Sequence, residues 1–309
     1  MDILLQQLIN GVTLGSVYAL VALGYTMVYG IIGLINFAHG ELVMVGALTA
    51  LSVIAALLRL GLGLPPAAMM LIALLAALPV CMLLAYAMER VAYRPLRRAP
   101  RLAPLITAIG VSIVLQNVAM LVWGRSYFSF PPILSVTNYD VAGATITDLQ
   151  ILIVLLSAAL MAGLLLIVHR TRLGLAMRAT AENLGVAALM GVDANRIIVA
   201  AFLLGSALAA VAGLMVSAYY GIAHYYMGFL LGLKAFTAAV LGGIGNIGGA
   251  MLGGLLLGVI ESLGAGYIGD LTGGFLGSNY QDVFAFMVLV VVLTIRPSGL
   301  LGERVSERA

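Results

Sequence analysis

Residues 66–88 read PAAMMLIALLAALPVCMLLAYAM, which is 23 residues without one charged side chain. A helix needs about 20 mostly apolar residues to cross the hydrocarbon core of a bilayer. Over the whole chain of 309 residues, 63% are hydrophobic and only 9% are charged, whereas average soluble domains are about 45–50% apolar and about 25% charged. The composition therefore excludes a soluble globular domain and indicates that lipid is the solvent for most of the chain.

Apolar runs of this kind follow one another from end to end. They cover 8–30, 42–60, 66–88, 103–123, 149–169, 198–220, 229–245, 250–266 and 282–295. Their length predicts helices, since the strands of a membrane barrel are short and alternate in polarity. The predicted fold class is all-α: a polytopic transmembrane helix bundle of about 8–10 membrane segments, including broken or re-entrant helices, with 1–309 forming a single transmembrane domain.

Basic residues are concentrated in three connections. Of the 15 Lys and Arg residues, 12 lie in 89–101, in 170–196 and after 295. Because cytoplasmic loops carry an excess of Lys and Arg, these three segments and the C-terminus are predicted to be cytoplasmic. The side of the N-terminus stays open. The formal net charge of +3 does not indicate binding of nucleic acid.

A polar interruption, residues 36–41 (NFAHGE), divides the apolar first 60 residues. Ionisable groups within membrane segments are costly and point to function. Asn36, His39 and Glu41 are therefore candidates for a substrate path or its gate, and His39 with Glu41 would form a proton relay in a secondary transporter. The structural alternative is that Asn36 or His39 closes one helix while Glu41 lies in the first turn of the next, where the helix dipole favours an acid.

A glycine-rich run, residues 242–249 (GGIGNIGG), separates two apolar segments. Gly243, Gly245 and Gly248 formally match the dinucleotide-binding fingerprint, but that motif requires a preceding strand and a βαβ unit. Apolar helix flanks the run on both sides, so the match is rejected and the run predicts a turn. A glycine-rich broken helix can also line a substrate path, which makes Gly243, Gly245 and Asn246 candidates for the path or its gate.

Two small-residue patterns predict close helix packing. Gly11-x-x-x-Gly15 and Gly254-x-x-x-Gly258 each place two glycines one turn apart. Such faces allow helix backbones in a membrane to approach closely.

Lys234 is the only lysine of the chain. It lies near the predicted external end of 229–245, where a long basic side chain is expected to extend to the membrane surface. The alternative is a contact with an anionic partner or with a substrate carboxylate.

The basic segment 170–196 is longer than an ordinary connection. Loops beyond about 12–15 residues are usually functional or disordered. Five of its residues recur at helical spacing: Met177, Ala181, Leu184, Ala188 and Gly191. We predict one short amphipathic helix that ends at Gly191. Its small apolar face, without Trp or Phe, favours docking on a partner over immersion in lipid. The candidate docking residues are Arg178, Glu182, Asn183, Leu184, Ala187, Ala188 and Gly191.

The sequence contains no enzyme signature that we tested. It has no His-Glu-x-x-His, no Gly-x-x-x-x-Gly-Lys-Ser/Thr phosphate loop and no Gly-x-Ser-x-Gly elbow. Three histidines and one cysteine do not assemble a metal site. We therefore expect no catalytic residues, no cofactor and no metal.

Five stretches of the sequence closely resemble the LivH permease family. They are GVTLGSVYAL (11–20), GIIGLINFAHGE (30–41), ERVAYRPL (89–96), KAFTAAVLGGIG (234–245) and RPSGLLG (296–302). LivH is one of two membrane subunits of the bacterial ABC importer for branched-chain amino acids.

The resemblance implies a heterodimer with a LivM-like permease in the bacterial inner membrane. It also implies two cytoplasmic ATPases similar to LivG and LivF, a periplasmic substrate-binding protein, and import of leucine, isoleucine and valine by alternating access. ABC importers carry a Glu-Ala-Ala…Gly pattern in the loop that docks on the ATPase. Residues 181–191 (AENLGVAALMG) have a similar order with a different spacing, which identifies the candidate docking residues with an ATPase-coupling helix.

Two other functions stay open. A sister ABC permease for urea, short amides or other amino acids also resembles the Asn-x-Ala-His-Gly-Glu segment. A stand-alone proton-coupled secondary transporter would use His39 and Glu41 as its relay and would need no ATPase, so its uptake would survive loss of the ATPase subunits.

Overall fold

A computed structural model describes residues 2–97, 99–100, 102–133, 137–273 and 280–302. Within these ranges the chain is built almost entirely from α-helices. Their bounds are α1 (Asp2–Ile32), α2 (His39–Arg59), α3 (Pro66–Met88), α4 (Leu102–Trp123), α5 (Asp148–Arg170), α6 (Arg172–Glu182), α7 (Leu184–Leu189), α8 (Ala194–Tyr220), α9 (Met227–Gly242), α10 (Ile247–Leu271) and α11 (Gln281–Ile295).

Each predicted apolar run lies on one of these helices, so the all-α polytopic bundle is confirmed. In the part of the chain that is described, seven helices are long and apolar enough to cross a membrane, while α9 and α11 are shorter apolar helices. The run predicted over 229–245 ends as a helix at Gly242, because Gly243 and Gly245 adopt positive φ values of 107° and 95°. This left-handed backbone is open to glycine at little steric cost and does not continue an α-helix.

Short strands lie in the connections between helices. β1 (Phe128–Ser129) pairs antiparallel with β4 (Ile222–Ala223), so that Phe128 faces Ala223. β2 (Asn138–Val141) and β3 (Ala144–Thr147) form a hairpin. Its turn residues, Ala142 and Gly143, have φ values of 53° and 84°.

The chain divides into two compact units. The first unit contains Met1–Thr26, Val136–Met161 and Lys234–Ala309, and the second contains Met27–Ser135 and Ala162–Leu233. Both units are held by close helix contacts at small residues.

In the first unit, the two small-residue patterns pack against each other. A Cβ atom at Gly258 would lie 2.3 Å from the backbone nitrogen of Gly15, and one at Gly11 would lie 2.7 Å from Cα of Val259. There is no space for a side chain at either contact. The predicted packing faces are therefore confirmed, and they join α1 to α10.

The core of the second unit is formed by α2, α3 and α8. Gly46 lies against Ala210, and a Cβ atom at Gly213 would meet the carbonyl oxygen of Val43 at 2.2 Å. The first ten residues of α2 are all buried, so the first half of this helix is surrounded by protein. Polar side chains in that half, such as Glu41, are out of contact with both water and lipid.

Candidate functional site

The break between α1 and α2 carries the predicted polar interruption. α1 closes with a hydrogen bond from Gly33 N to Tyr29 O, and α2 begins when His39 N donates to Asn36 O at 2.9 Å. No side chain caps α2, and Glu41 lies in its first turn. The structural interpretation is thus correct for Glu41. It is wrong for the end of the first helix, because α1 is closed at Gly33 and not by Asn36 or His39.

Glu41 is completely buried, with 0% of its surface exposed. Its Oε1 atom accepts two hydrogen bonds from α4, from Ser112 Oγ at 2.8 Å and from Gln116 Nε2 at 2.7 Å. α4 has 22 residues, and a rise of about 1.5 Å per residue places both donors roughly 10 Å or more from either helix end. The Glu41 carboxylate therefore lies near the middle of α4.

The second oxygen of Glu41, Oε2, has no hydrogen-bond partner among the described residues. It faces the first turn of α9, where a Cβ atom at Gly228 would lie only 2.8 Å from it. At Gly40 a Cβ atom would lie 2.4 Å from Gly228 O and 2.7 Å from Cα of Gly232. The beginnings of α2 and α9 therefore meet backbone against backbone directly beside Oε2.

His39 is also buried. Residues two positions apart on an α-helix do not face each other, so the helix itself does not hold His39 against Glu41. The proton relay between these residues remains a hypothesis.

Asn36 belongs to a second polar group that the sequence reasoning did not identify. Its Oδ1 atom accepts a hydrogen bond of 2.6 Å from Tyr93 Oη. Tyr93 ends a π-helical turn, Glu89–Tyr93, that continues α3. Such turns are rare and are frequent at functional sites. Tyr93 lies in the stretch ERVAYRPL (89–96). This stretch supports the resemblance to the LivH family, but its sequence alone did not predict the hydrogen bond to Asn36.

An ion pair lies beside this turn. Buried Glu89 bonds to Arg97, whose Nη1 donates to Asn195 Oδ1 at 2.7 Å. Burial lowers the pKa of the Arg97 guanidinium, and the neighbouring Glu89 carboxylate opposes this shift. Asn195 lies in the first turn of α8, directly after the segment 170–193. The segment that follows α3 is therefore bonded to the end of the predicted coupling loop. Arg98 and Arg101 of the same basic connection lie outside the described residues.

The single helix predicted within 170–196 is wrong, since two helices, α6 and α7, form there. They are separated at Asn183, whose extended backbone (φ −156°, ψ 105°) ends α6 while its side chain caps α7 by accepting from Val186 N. A side-chain oxygen that caps a new helix competes with continuation of the previous one. The end predicted at Gly191 is confirmed by its φ of 86° and by the bond from Val192 N to Ala187 O.

Of the five residues that define the predicted apolar face, four are exposed and only Met177 is buried. Gly174, Met177, Thr180 and Ala187 are buried, while Ala181, Leu184, Ala188 and Gly191 are exposed together with Arg178, Glu182 and Asn183. The most exposed apolar side chains are Leu189, at 87%, and Met190, at 80%. Neither was among the candidate docking residues, because the periodicity assumed one continuous helix.

The glycine-rich run forms the predicted turn, between the end of α9 and the start of α10. A C-terminal stretch, 299–302, packs on this turn: Leu300 N and Leu301 N donate to the last two carbonyls of α9, each at 2.9 Å. Asn246 joins both parts, donating to Leu301 O and accepting from Gly249 N. A Cβ atom at Gly243 would lie 2.3 Å from Gly302 N, so Gly243, Gly245 and Asn246 shape the turn, and their role in a substrate path remains a prediction.

Lys234 is not extended to the surface, so that expectation was wrong. Its side chain is 15% exposed, and Nζ lies 2.6 Å from Glu261 Oε1 and 2.7 Å from Asp282 Oδ1. Tyr18 Oη also donates to Glu261 Oε1, at 3.2 Å. The reason is that acids from α10 and α11 reach the lysine within the first unit. Among the described residues, no group of three or more His, Cys, Asp or Glu side chains is arranged to hold a metal ion.

Comparison with known proteins agrees with this architecture. Residues 7–293 match the model of the family described as the permease component of the branched-chain amino acid transport system. The chain is 50% identical over 304 residues to BraD of Pseudomonas aeruginosa, with 97% of this chain and 96% of the relative covered. LivH of Salmonella typhimurium and LivH of Escherichia coli K12 are 45% and 44% identical at the same coverage.

All three relatives are named high-affinity branched-chain amino acid transport system permease proteins. No solved structure matches the chain. The apolar helices and the permease relatives make this chain a multi-pass membrane protein. Because the match is nearly end to end, the chain belongs to the family of permease components of branched-chain amino acid transport systems.

Proposed function

We propose that this chain is the membrane-spanning permease subunit of an ABC importer that moves leucine, isoleucine and valine into the cytoplasm. The observation that carries this proposal is the 50% identity to a branched-chain amino acid permease over 97% of the chain. The whole chain forms one permease domain with a cytoplasmic coupling loop at about 170–196. Selection of an aliphatic substrate requires a mostly apolar passage with few polar groups, which is the composition that this chain has.

The energy for transport comes from partner subunits in this proposal, since the chain carries no ATP-binding motif. The partners are a LivM-like permease, two cytoplasmic ATPases similar to LivG and LivF, and a periplasmic substrate-binding protein. The chain itself is not an enzyme and holds no cofactor. It lies in the bacterial inner membrane with its C-terminus in the cytoplasm, as the excess of Arg in three connections indicates.

The ATPases dock on α6 and α7. Arg178, Glu182, Asn183, Leu184, Ala188 and Gly191 are exposed there, whereas Ala187 is buried beneath them. Movement of this surface reaches the membrane helices by two routes, because α8 follows it directly and Asn195 is hydrogen-bonded to Arg97. Asn36, His39 and Glu41 contribute to the substrate path in the second unit.

Uptake of labelled leucine tests this proposal in cells that lack only this chain, with and without the chain restored. Unlabelled valine and urea serve as competitors. We expect uptake that depends on the chain, with competition by valine and not by urea. Uptake that is unaffected by loss of the chain contradicts the substrate assignment. Uptake that survives deletion of the ATPase subunits contradicts an ATP-driven importer and favours the proton-coupled transporter.

A further inference from the structure

The two oxygens of Glu41 have different surroundings. Oε1 accepts from both Ser112 and Gln116, and these bonds are sufficient to join α2 to α4. Oε2 has no hydrogen-bond partner in the described part of the chain although the side chain is fully buried. A buried polar atom without a partner is unfavourable, and such atoms are rare in native proteins. The joining of α2 to α4 through Oε1 does not explain why Oε2 is buried without a partner.

The residue of α9 that lies next to Oε2 is a glycine, which has no side chain. Gly228 of α9 lies against this oxygen, and Gly40 in turn lies against Gly228 O. α9 has 16 residues, too few to cross a membrane alone, and it begins at the depth of Glu41. Because Gly228 is the α9 residue against this oxygen, a shift of the first turn of α9 uncovers Oε2.

From this geometry we infer that Glu41 Oε2 accepts a hydrogen bond from the nitrogen of the cargo as it passes the second unit, which for an amino acid is the α-ammonium group. The inference rests on the proposed function and names the contact that it requires. Gly228 covers the position in this structure. Displacement of the first turn of α9 would make room for the nitrogen of the cargo at this oxygen.

A carboxylate oxygen suits this group for two reasons. A bond between an ammonium and a carboxylate is charge-assisted and about twice as strong as a neutral one. The first turns of α2 and α9 both begin beside Glu41, and the positive ends of broken helices favour the carboxylate of a zwitterion. A carboxylate oxygen is equally able to accept from the N–H of an amide cargo, so selection for an aliphatic side chain lies elsewhere in the path or in the binding protein.

The first experiment uses the complete importer in proteoliposomes, with the leucine-loaded binding protein outside and ATP inside. Glu41→Gln keeps the size of the side chain and one acceptor but removes the carboxylate. We expect leucine uptake to fall about tenfold or more while assembly and basal ATP hydrolysis are retained. Ser52→Ala is the matched control, because it breaks the bond of 2.7 Å from Trp123 between the same two helices and should leave uptake unchanged.

The second experiment uses the unchanged chain, so that it does not depend on folding of a variant. A membrane-permeant carbodiimide modifies buried carboxyl groups, and mass spectrometry measures the modification of Glu41 and Glu261. We expect the leucine-loaded binding protein with ATP to protect Glu41, whereas Glu261, which is paired with Lys234, should not change. Modification of Glu41 that is unaffected during active leucine transport overturns the inference.

The outcomes separate this inference from the proposed function. If proteoliposomes with the unchanged chain do not take up leucine, the proposed function fails. If they take it up and Glu41→Gln does so at the same rate, only the contact with Glu41 is refuted. If Glu41→Gln does not assemble, the carbodiimide experiment on the unchanged chain is used instead. Protection of Glu41 during transport then supports the inference, and unchanged modification refutes it.

Discussion

Nζ of Lys234 lies 2.6 Å from Oε1 of Glu261, which joins α9 to α10 inside the first unit. Glu261 is only 1% exposed, and the same oxygen accepts from Tyr18 Oη of α1. Asp282 of α11 bonds to Lys234 from another side. One lysine therefore connects three helices, and its charge is compensated by acids that the chain supplies.

Replacing this lysine should destabilise the first unit. Lys234→Met leaves the Glu261 carboxylate buried without its partner, and removal of one member of a buried pair costs about 3–5 kcal/mol. The thermal midpoint of the purified protein in detergent should fall clearly. The double variant Lys234→Met/Glu261→Gln should recover part of the loss, because it removes the uncompensated charge. A double variant as unstable as the single one contradicts this account.

The bond between Tyr93 and Asn36 gives a second prediction. Tyr93→Phe removes the hydroxyl and leaves Asn36 Oδ1 buried without a donor, at a cost of about 1–3 kcal/mol. We expect a lower thermal midpoint and, because Asn36 lies in the break before α2, slower leucine uptake. Tyr86→Phe is the control: Tyr86 is 38% exposed on α3, and its variant should match the unchanged protein. Equal behaviour of the two variants contradicts the assigned role.

The helices could be predicted from the sequence because the signal for each is local. An apolar run of sufficient length forms a helix in lipid, because every backbone N–H and C=O group must be hydrogen-bonded within the segment. The turn at 242–249 was equally local, as its glycines permit the positive φ values that are found. The packing of Gly11 and Gly15 also followed from spacing alone.

The partners of polar residues could not be predicted in this way. Glu261 is 27 residues from Lys234, and Tyr93 is 57 residues from Asn36; spacing carries no information on such pairs. The helix break at Asn183 was missed for a different reason. The prediction extended one helix across Asn183 because the hydrophobic residues on both sides share a helical period. The side chain of Asn183 prefers to cap a new helix, and this local preference outweighs the hydrophobic period.

The exposed end of α7 leads to a prediction about assembly. Leu189→Ser changes a side chain that is almost fully exposed, so the stability of the isolated chain should change by no more than about 0.5 kcal/mol. If α7 docks on an ATPase, the variant should co-purify with less ATPase and show slower uptake. Val91→Ser, at an exposed apolar position in the other basic connection, should have no effect. Full ATPase binding by Leu189→Ser contradicts docking at this position.

Gly228 tests the contact that covers Glu41. In Gly228→Ala the added Cβ would lie 2.6 Å from Gly40 O and 2.8 Å from Glu41 Oε2, closer than such atoms approach, so the first turn of α9 must shift away from α2. We expect a lower thermal midpoint and a loss of leucine uptake. In Gly110→Ala, on α4 of the same unit, nothing lies within 4 Å of the new atom. Alanine there should stabilise the helix by about 0.5–1 kcal/mol and leave uptake intact. If both variants transport normally, the approach of α9 to α2 is not needed for the transport cycle.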